Sequence, residues 1–320
     1  LSRNAIIRSV LLLIACALLS APAQAGQDVI FSQFFSSPLY LNPAFAGSEG
    51  GSRLVFNSRA QPFGGPDLSP VFNFSYDGYL PAISSGIGLL VTSDMQGGLL
   101  NRNQVAAIYT YHVRLADDWY LQFGAQAGYH RVDLNAGLEF ADPSEPLPDF
   151  QTVHAANFAA GLLLYGETFY GGMAAHHLAE PKESFFTDGE ARLRRKYTAH
   201  LGMYLRTGDN RLGPQRTPFT LSPNVVVQHQ APFTWISYGL YAGIEPFIAG
   251  VWLRQDLKRP NTLVFLLGME REGYRIGYSY DYSLSGYSGA THGIHEISVG
   301  FFLGRESKKM KYRILNCPSF

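Results

Sequence analysis

Hydrophobic and polar residues alternate along most of this chain with a period of two, the mark of strands with two unlike faces. Trp119–Val132 shows it most clearly. Trp119, Leu121, Phe123, Ala125, Ala127 and Tyr129 share one face; Tyr120, Gln122, Gly124, Gln126, Gly128 and His130 share the other. Residues 104–114 repeat the pattern, with Val105, Ala107, Tyr109, Tyr111 and Val113 opposite Gln104, Thr110, His112 and Arg114. Residues 273–282 set Tyr274, Ile276, Tyr278, Tyr280 and Tyr282 against Arg275, Gly277, Ser279 and Asp281. The alternation predicts fourteen strands, near 53–60, 70–78, 85–92, 103–114, 119–132, 154–165, 168–177, 195–206, 220–230, 234–243, 246–255, 262–270, 273–282 and 292–303.

Two architectures use such strands. A soluble sandwich turns its apolar face inward, whereas a membrane barrel turns it to lipid and lines its lumen with polar groups. Strand length favours the barrel, because about 9–11 tilted residues cross a bilayer. Aromatic residues near strand ends suit interfacial girdles. The polar face carries Gly, Ser, Gln, Tyr and His rather than Lys and Glu, which fits a crowded lumen better than an open surface. The expected fold is therefore all-β, a transmembrane antiparallel β-barrel over residues 52–303. Connections 115–118, 166–167 and 271–272 are short, while 133–153 and 178–194 are long and fall on the opposite side. The connection 207–219 is long where a short turn is expected. An even strand count puts both termini on the short-turn, periplasmic side.

Composition then explains itself. Of 320 residues only 16% are charged, below the roughly one quarter usual in soluble domains, while 14% are aromatic and 33 are glycine. Lipid-facing charge is costly, and a polar lumen keeps the mean hydropathy near zero. The 25 basic and 25 acidic residues exclude the basic excess of a nucleic-acid binder. Residues 1–25 read as a signal peptide: Arg3 and Arg8, an apolar run from Val10 to Leu19, then Ala23-Gln24-Ala25, with cleavage expected between Ala25 and Gly26. A lipobox-like Leu13-Ile14-Ala15-Cys16 is a rival, opposed by the apolar stretch that continues beyond it. Cleavage leaves Cys317 as the single cysteine and rules out an internal disulfide. Residues 26–51 hold Phe31, Phe34, Phe35, Leu39, Tyr40 and Phe45 among Pro38, Pro43 and Gly47, too apolar for a free tail and too broken for a strand. An N-terminal lumenal plug is the natural reading. Residues 304–320 read as a basic, solvated periplasmic tail, with Arg305, Lys308, Lys309, Lys311 and Arg313.

Catalytic signatures fail on inspection. Gly286-Tyr287-Ser288-Gly289 is turn sequence rather than a nucleophile elbow. His292-Gly293-Ile294-His295-Glu296 lacks zinc-motif spacing, and a strand puts His295 and Glu296 on opposite faces. His176-His177 reads as structural in the same way, and Gly86-Ile87-Gly88 lacks the third glycine of a dinucleotide site. No enzyme, cofactor or metal is expected. Arg114, Arg254, Arg275, Asp281 and Glu296 are candidates for a paired lumen network. A cargo-binding role for some of these charges is the alternative.

Several segments resemble the PorP/SprF family, membrane proteins of type IX secretion and gliding in Bacteroidota. They are Phe31-Ser32-Gln33-Phe34 with Pro38-Leu39-Tyr40-Leu41-Asn42-Pro43-Ala44-Phe45-Ala46-Gly47, then Ser75-Tyr76-Asp77-Gly78-Tyr79 and Tyr109-Thr110-Tyr111-His112. Further on come His177-Leu178, Lys196-Tyr197 with His200, Gly277-Tyr278-Ser279-Tyr280-Asp281-Tyr282, His295-Glu296-Ile297-Ser298 and the terminal Cys317-Pro318-Ser319-Phe320. The resemblance spans essentially the whole mature chain and adds His200 and His295 to the candidate partner-binding or lumen residues. It implies a fatty-acid-transporter-like barrel in a Gram-negative outer membrane, surrounded by lipid and lipopolysaccharide. It also implies an export partner or surface anchor for the C-terminal domain of a type IX cargo, such as a gliding adhesin, or a component of the secretion machinery that meets periplasmic motor proteins or a lipoprotein. The acidic loop 139–150 would then bear on cargo choice. A diffusion channel or small-solute transporter on the same barrel is the competing function.

Overall fold

The computed structural model describes residues 28–62, 68–134, 151–210, 217–284 and 293–304. The expected cleavage-site residues Ala23, Ala25 and Gly26, residues 139–150, His292, and residues 305–320, Cys317 among them, lie outside the described residues. Fifteen strand segments are present among the described residues: β1 (Ser52–Pro62), β2 (Leu68–Leu80), β3 (Ser85–Gln96), β4 (Leu100–Ala116), β5 (Trp119–Leu134), β6 (Thr152–Tyr165), β7 (Phe169–His176), β8 (Lys196–Met203), β9 (Leu205–Asn210), β10 (Thr217–Gln230), β11 (Phe233–Ile244), β12 (Phe247–Gln255), β13 (Pro260–Arg271), β14 (Tyr274–Ser283) and β15 (Ile294–Leu303). Every pairing is antiparallel, and the ring closes where β15 pairs β1, with Arg59 opposite Glu296.

Segments β8 and β9 are two halves of one stave. Both pair β10 in the same register, Gly202 opposite Asn224 and Leu205 opposite Leu221. The ladder breaks around Tyr204, beside Pro223, which has no N–H to give. The Ser222 hydroxyl instead donates to the Met203 carbonyl. The wall therefore has fourteen staves, and each sequence-predicted strand coincides with one.

Burial is inverted relative to a soluble protein. Leu201 and Leu267 are 61% and 65% exposed on the outside, together with Phe123, Tyr129, Phe158, Phe265 and Ile297. Asn57, Asn73, Thr110, Gln122, Ser279 and Glu296 are buried inside. Only a hydrocarbon surround favours that arrangement, because water would penalise the exposed apolar band.

Roughly eight strands give a lumen that their own side chains fill, whereas roughly sixteen leave a channel. Fourteen require a filler, and residues 28–51 supply it. They carry one short helix, α1 (Pro38–Leu41), followed by a 3₁₀ turn at Pro43–Phe45. Phe31, Phe34, Phe35, Leu39 and Phe45 are all buried. The segment crosses the lumen lengthwise. Asp28 meets Gln230, His177 and Lys196 at the long-loop end. Gly47 meets Asp77 and Gly86 at the short-turn end, where β1 begins. The barrel's first and last strands share the short-turn end, as the even count predicts. Asp28 departs from that expectation and sits at the other end, because the chain threads the lumen before entering the wall.

Candidate functional site

Seating of the lumenal segment depends on close backbone approach. Gly124 and Gly161 are cross-strand partners on β5 and β6, and both face inward. A Cβ on Gly124 would lie 2.6 Å from the Ala44 Cα, and one on Gly161 would lie 3.0 Å from the Asn42 Cγ. The two glycines thus form a dent that holds the Asn42–Ala44 turn. Asn42 caps that turn by accepting the Ala44 N–H at 2.9 Å, while its own amide donates to the Leu162 and Met173 carbonyls of the wall. Aromatic contacts continue the fit: Phe34 against Trp252, Phe35 edge-on to Tyr170, and Phe45 stacked on His200 at 5.1 Å.

Ionic clusters pin the segment at both ends. At the short-turn end Arg53 binds both carboxylate oxygens of Asp77, reaches Glu49, and donates to the Phe45 carbonyl. Nearer the long-loop end lies a wholly buried group of Ser32, Arg59, Arg254, Asp281 and Glu296. Glu296 accepts the backbone N–H groups of Ser32 (2.8 Å) and Gln33 (3.1 Å) and pairs with Arg59 at 3.2 Å. Asp281 pairs with Arg59 at 3.1 Å and with Arg254 at 3.5 Å. The Ser32 hydroxyl donates to Asp281 and accepts from both arginines. Buried pairs of this kind add little net stability against an apolar replacement, yet losing one member leaves an uncompensated charge. Their effect is to fix one position of the segment in the barrel.

Two more clusters lie at the long-loop end. Asp28 joins Lys196 at 2.6 Å and His177 at 2.8 Å, and Lys196 also lies over the Tyr40 ring. Glu183, on the segment connecting β7 and β8, takes Arg102 and His130. With the buried Leu193 it ties that connection across the mouth.

Of the seven sequence candidates, the structure brings Arg254, Asp281 and Glu296 together. His200 stands inside against Asn42 and Phe45. The other three lie elsewhere. Arg114 has inward parity but lies at the short-turn end of β4, opposite Tyr120, where its half-exposed side chain reaches the β4–β5 turn and bonds Ala116 and Asp117. Arg275 lies toward the short-turn end, pairs with Glu270 and covers the Phe302 ring. His295 is on the outer face, where it bonds the Tyr278 hydroxyl and packs on Tyr280. The residues missed from sequence are Arg53, Arg59, Asp77 and Asp28. Arg53 and Arg59 share the inward parity of Val55 and Asn57, so the signal was present in β1. No group of three potential metal ligands occurs among the described residues.

A closed, polar-cored membrane barrel filled by its own N-terminal segment is thus the class of protein that the structure defines. The sequence profile of the type IX secretion system membrane proteins PorP/SprF matches residues 23–301, and the chain belongs to that family. No curated protein matches it. Solved structures similar to it include the CymD monoaromatic hydrocarbon channel (12% identity, 87% of this chain and 95% of that one, TM-score 0.46). A deletion mutant of the TodX monoaromatic hydrocarbon channel is also similar (10%, 82% and 93%, 0.45), as is the KdgM porin (7%, 79% and 99%, 0.37).

Proposed function

We propose that this protein is a non-enzymatic outer-membrane partner of type IX secretion that receives and holds the C-terminal domain of an exported cargo. Its long-loop end faces outside, in keeping with the short periplasmic turns of bacterial barrels. The supporting observation is the lumen itself. Residues 28–51 run its length in backbone contact with wall glycines and are held by ion pairs at both ends, Asp28 with Lys196 and Glu49 with Arg53. A barrel built this way serves as a rigid platform rather than a conduit. Planar-bilayer recording of the purified protein should give no steady conductance, and purification from native membranes should recover a large exported protein or a machinery component. A steady open pore with no such companion would replace this reading with a diffusion channel.

A further inference from the structure

Two neighbouring cavities occupy the long-loop mouth, one of about 340 Å³ beside Arg59 and Arg254 and a smaller one of about 40 Å³. Asp28, Val29 and Asp94 line both. The larger volume is at the lower end of ligand pockets, roughly 300–1,000 Å³. Charge around these cavities is almost completely matched. Arg59 and Arg254 are taken by Asp281 and Glu296, Lys196 by Asp28, and Arg102 by Glu183. Asp94 is the exception. It is 8% exposed, and its carboxylate accepts a hydrogen bond from Gln96 at 2.7 Å but forms no ion pair with a described residue. Its cross-strand neighbour Arg102 is diverted to Glu183 at 3.3 Å. With His130 and His177, which bond Glu183 and Asp28, counted as neutral, the cavity-lining charges and their described partners number four cations (Arg59, Arg102, Lys196, Arg254) against five carboxylates (Asp28, Asp94, Glu183, Asp281, Glu296), an excess of one negative charge. An ionised carboxylate in that position is costly without a cation.

The rest of the larger cavity is suited to the stem behind such a cation. Val29, Ile30 and Val71 supply aliphatic wall, and Trp235 supplies an aromatic surface of the kind that attracts ammonium and guanidinium groups. We propose that Asp94 receives a basic group, an ammonium or guanidinium carried on a short aliphatic stem. Its source is the end of a lysine or arginine side chain on the polypeptide held at this mouth. The proposal deepens the reading of the long-loop end as partner-facing, and in that respect rests on it. A free alkylamine has the same chemistry, and the experiment separates the two sources.

Full-length protein in detergent is titrated calorimetrically with n-butylammonium, n-butylguanidinium and the neutral n-pentanol. The cations should bind at least tenfold more tightly than the alcohol, and Asp94→Asn should weaken them at least tenfold. Equal binding of the alcohol, absence of cation binding, or unchanged binding by the variant would overturn the site. Heat-modifiable migration on a denaturing gel checks that the variant folds. Its thermal midpoint should equal or exceed that of the parent, because an unmatched buried charge is removed; a lower midpoint would assign Asp94 a structural role and overturn the proposal. Co-purification then identifies the source. Loss of the exported companion in Asp94→Asn supports a side-chain ligand. A companion retained while amine binding is lost overturns the side-chain source, leaving a free amine and the platform reading intact.

Discussion

If backbone contact at the Gly124–Gly161 dent seats the lumenal segment, a methyl group on either residue should unseat it. The Cβ of Gly124→Ala would stand 2.6 Å from the Ala44 Cα and 2.7 Å from the Pro43 carbonyl carbon. Carbon pairs rest near 3.5–4.0 Å, so the Asn42–Ala44 turn must retreat by about 1 Å. Retreat pulls the Asn42 amide from the Leu162 carbonyl and Phe45 from His200. Overpacking of this kind costs about 1–3 kcal/mol. If that cost raises the population in which the segment is unseated, amide exchange there should accelerate roughly 5- to 150-fold. Hydrogen–deuterium exchange followed by mass spectrometry of peptides covering residues 37–47 reads this directly. The Phe45 N–H, bonded to the Asn42 carbonyl at 3.1 Å, is the most informative amide. Gly124→Ala combined with Gly161→Ala should also produce conductance in planar bilayers where the parent is silent. Ala125→Leu adds bulk on the exposed lipid face of the same strand and is the control. Unchanged exchange in the glycine variants, or equal acceleration by Ala125→Leu, would refute the seating argument.

Other outcomes follow from the ion pairs and turns. Arg59→Ala strips Glu296 of its ion pair and leaves Asp281 with Arg254 alone, and should cost about 3–5 kcal/mol in unfolding from detergent. Arg114→Ala, in an exposed turn pair, should change stability by less than about 1 kcal/mol. Glu296→Gln keeps an acceptor for the Ser32 and Gln33 amides but loses the pair with Arg59, so exchange at residues 31–36 should rise while β5 and β6 stay protected. In the β12–β13 turn, the backbone N–H groups of Arg259 and Lys258, with the Asn261 amide, hold the Asp256 carboxyl below its ordinary value. A lowered folded pKa gives support that is complete above the ordinary value of 3.8 and fades as pH falls through the depressed one. Intrinsic-rate-corrected protection of the Lys258 and Arg259 amides should therefore be flat at neutral pH and fall in strong acid. Asp256→Ala should remove that step.

Much of the wall was legible because alternation is a local property. Each strand announces its two faces within about ten residues, and the polar-in, apolar-out inversion follows once the apolar face is read as lipid-facing. The same rule placed His295 and Glu296 on opposite faces, as they are. Parity gives a face but no height along the barrel axis, and that is where the site reading fell short. Arg114 and Arg254 both have inward parity, yet one ends in a solvent-exposed turn and the other in the buried network. Arg275 likewise shares a strand and a face with Asp281 but lies six residues nearer the opposite end. Arg59 was available from the pattern of β1, but its meaning depends on ring closure, which sets it opposite Glu296 from the far end of the chain.

The lumenal segment was legible as a filler and not as a threaded one. Its aromatic and proline content shows that it belongs inside, whereas its direction is fixed by which wall charges it meets. Asp28 finds Lys196 and His177 at one end, and Gly47 finds Asp77 at the other. Reversing the segment would strand Asp28 near Asp77 and deprive Glu296 of the Ser32 and Gln33 amides. The buried charges thus impose polarity on a segment whose apolar side chains alone would tolerate either direction. That polarity places Val29 and Ile30 beside Asp94 at the long-loop mouth. The unmatched carboxylate there is a consequence of how the plug is aligned as well as of the wall that carries it.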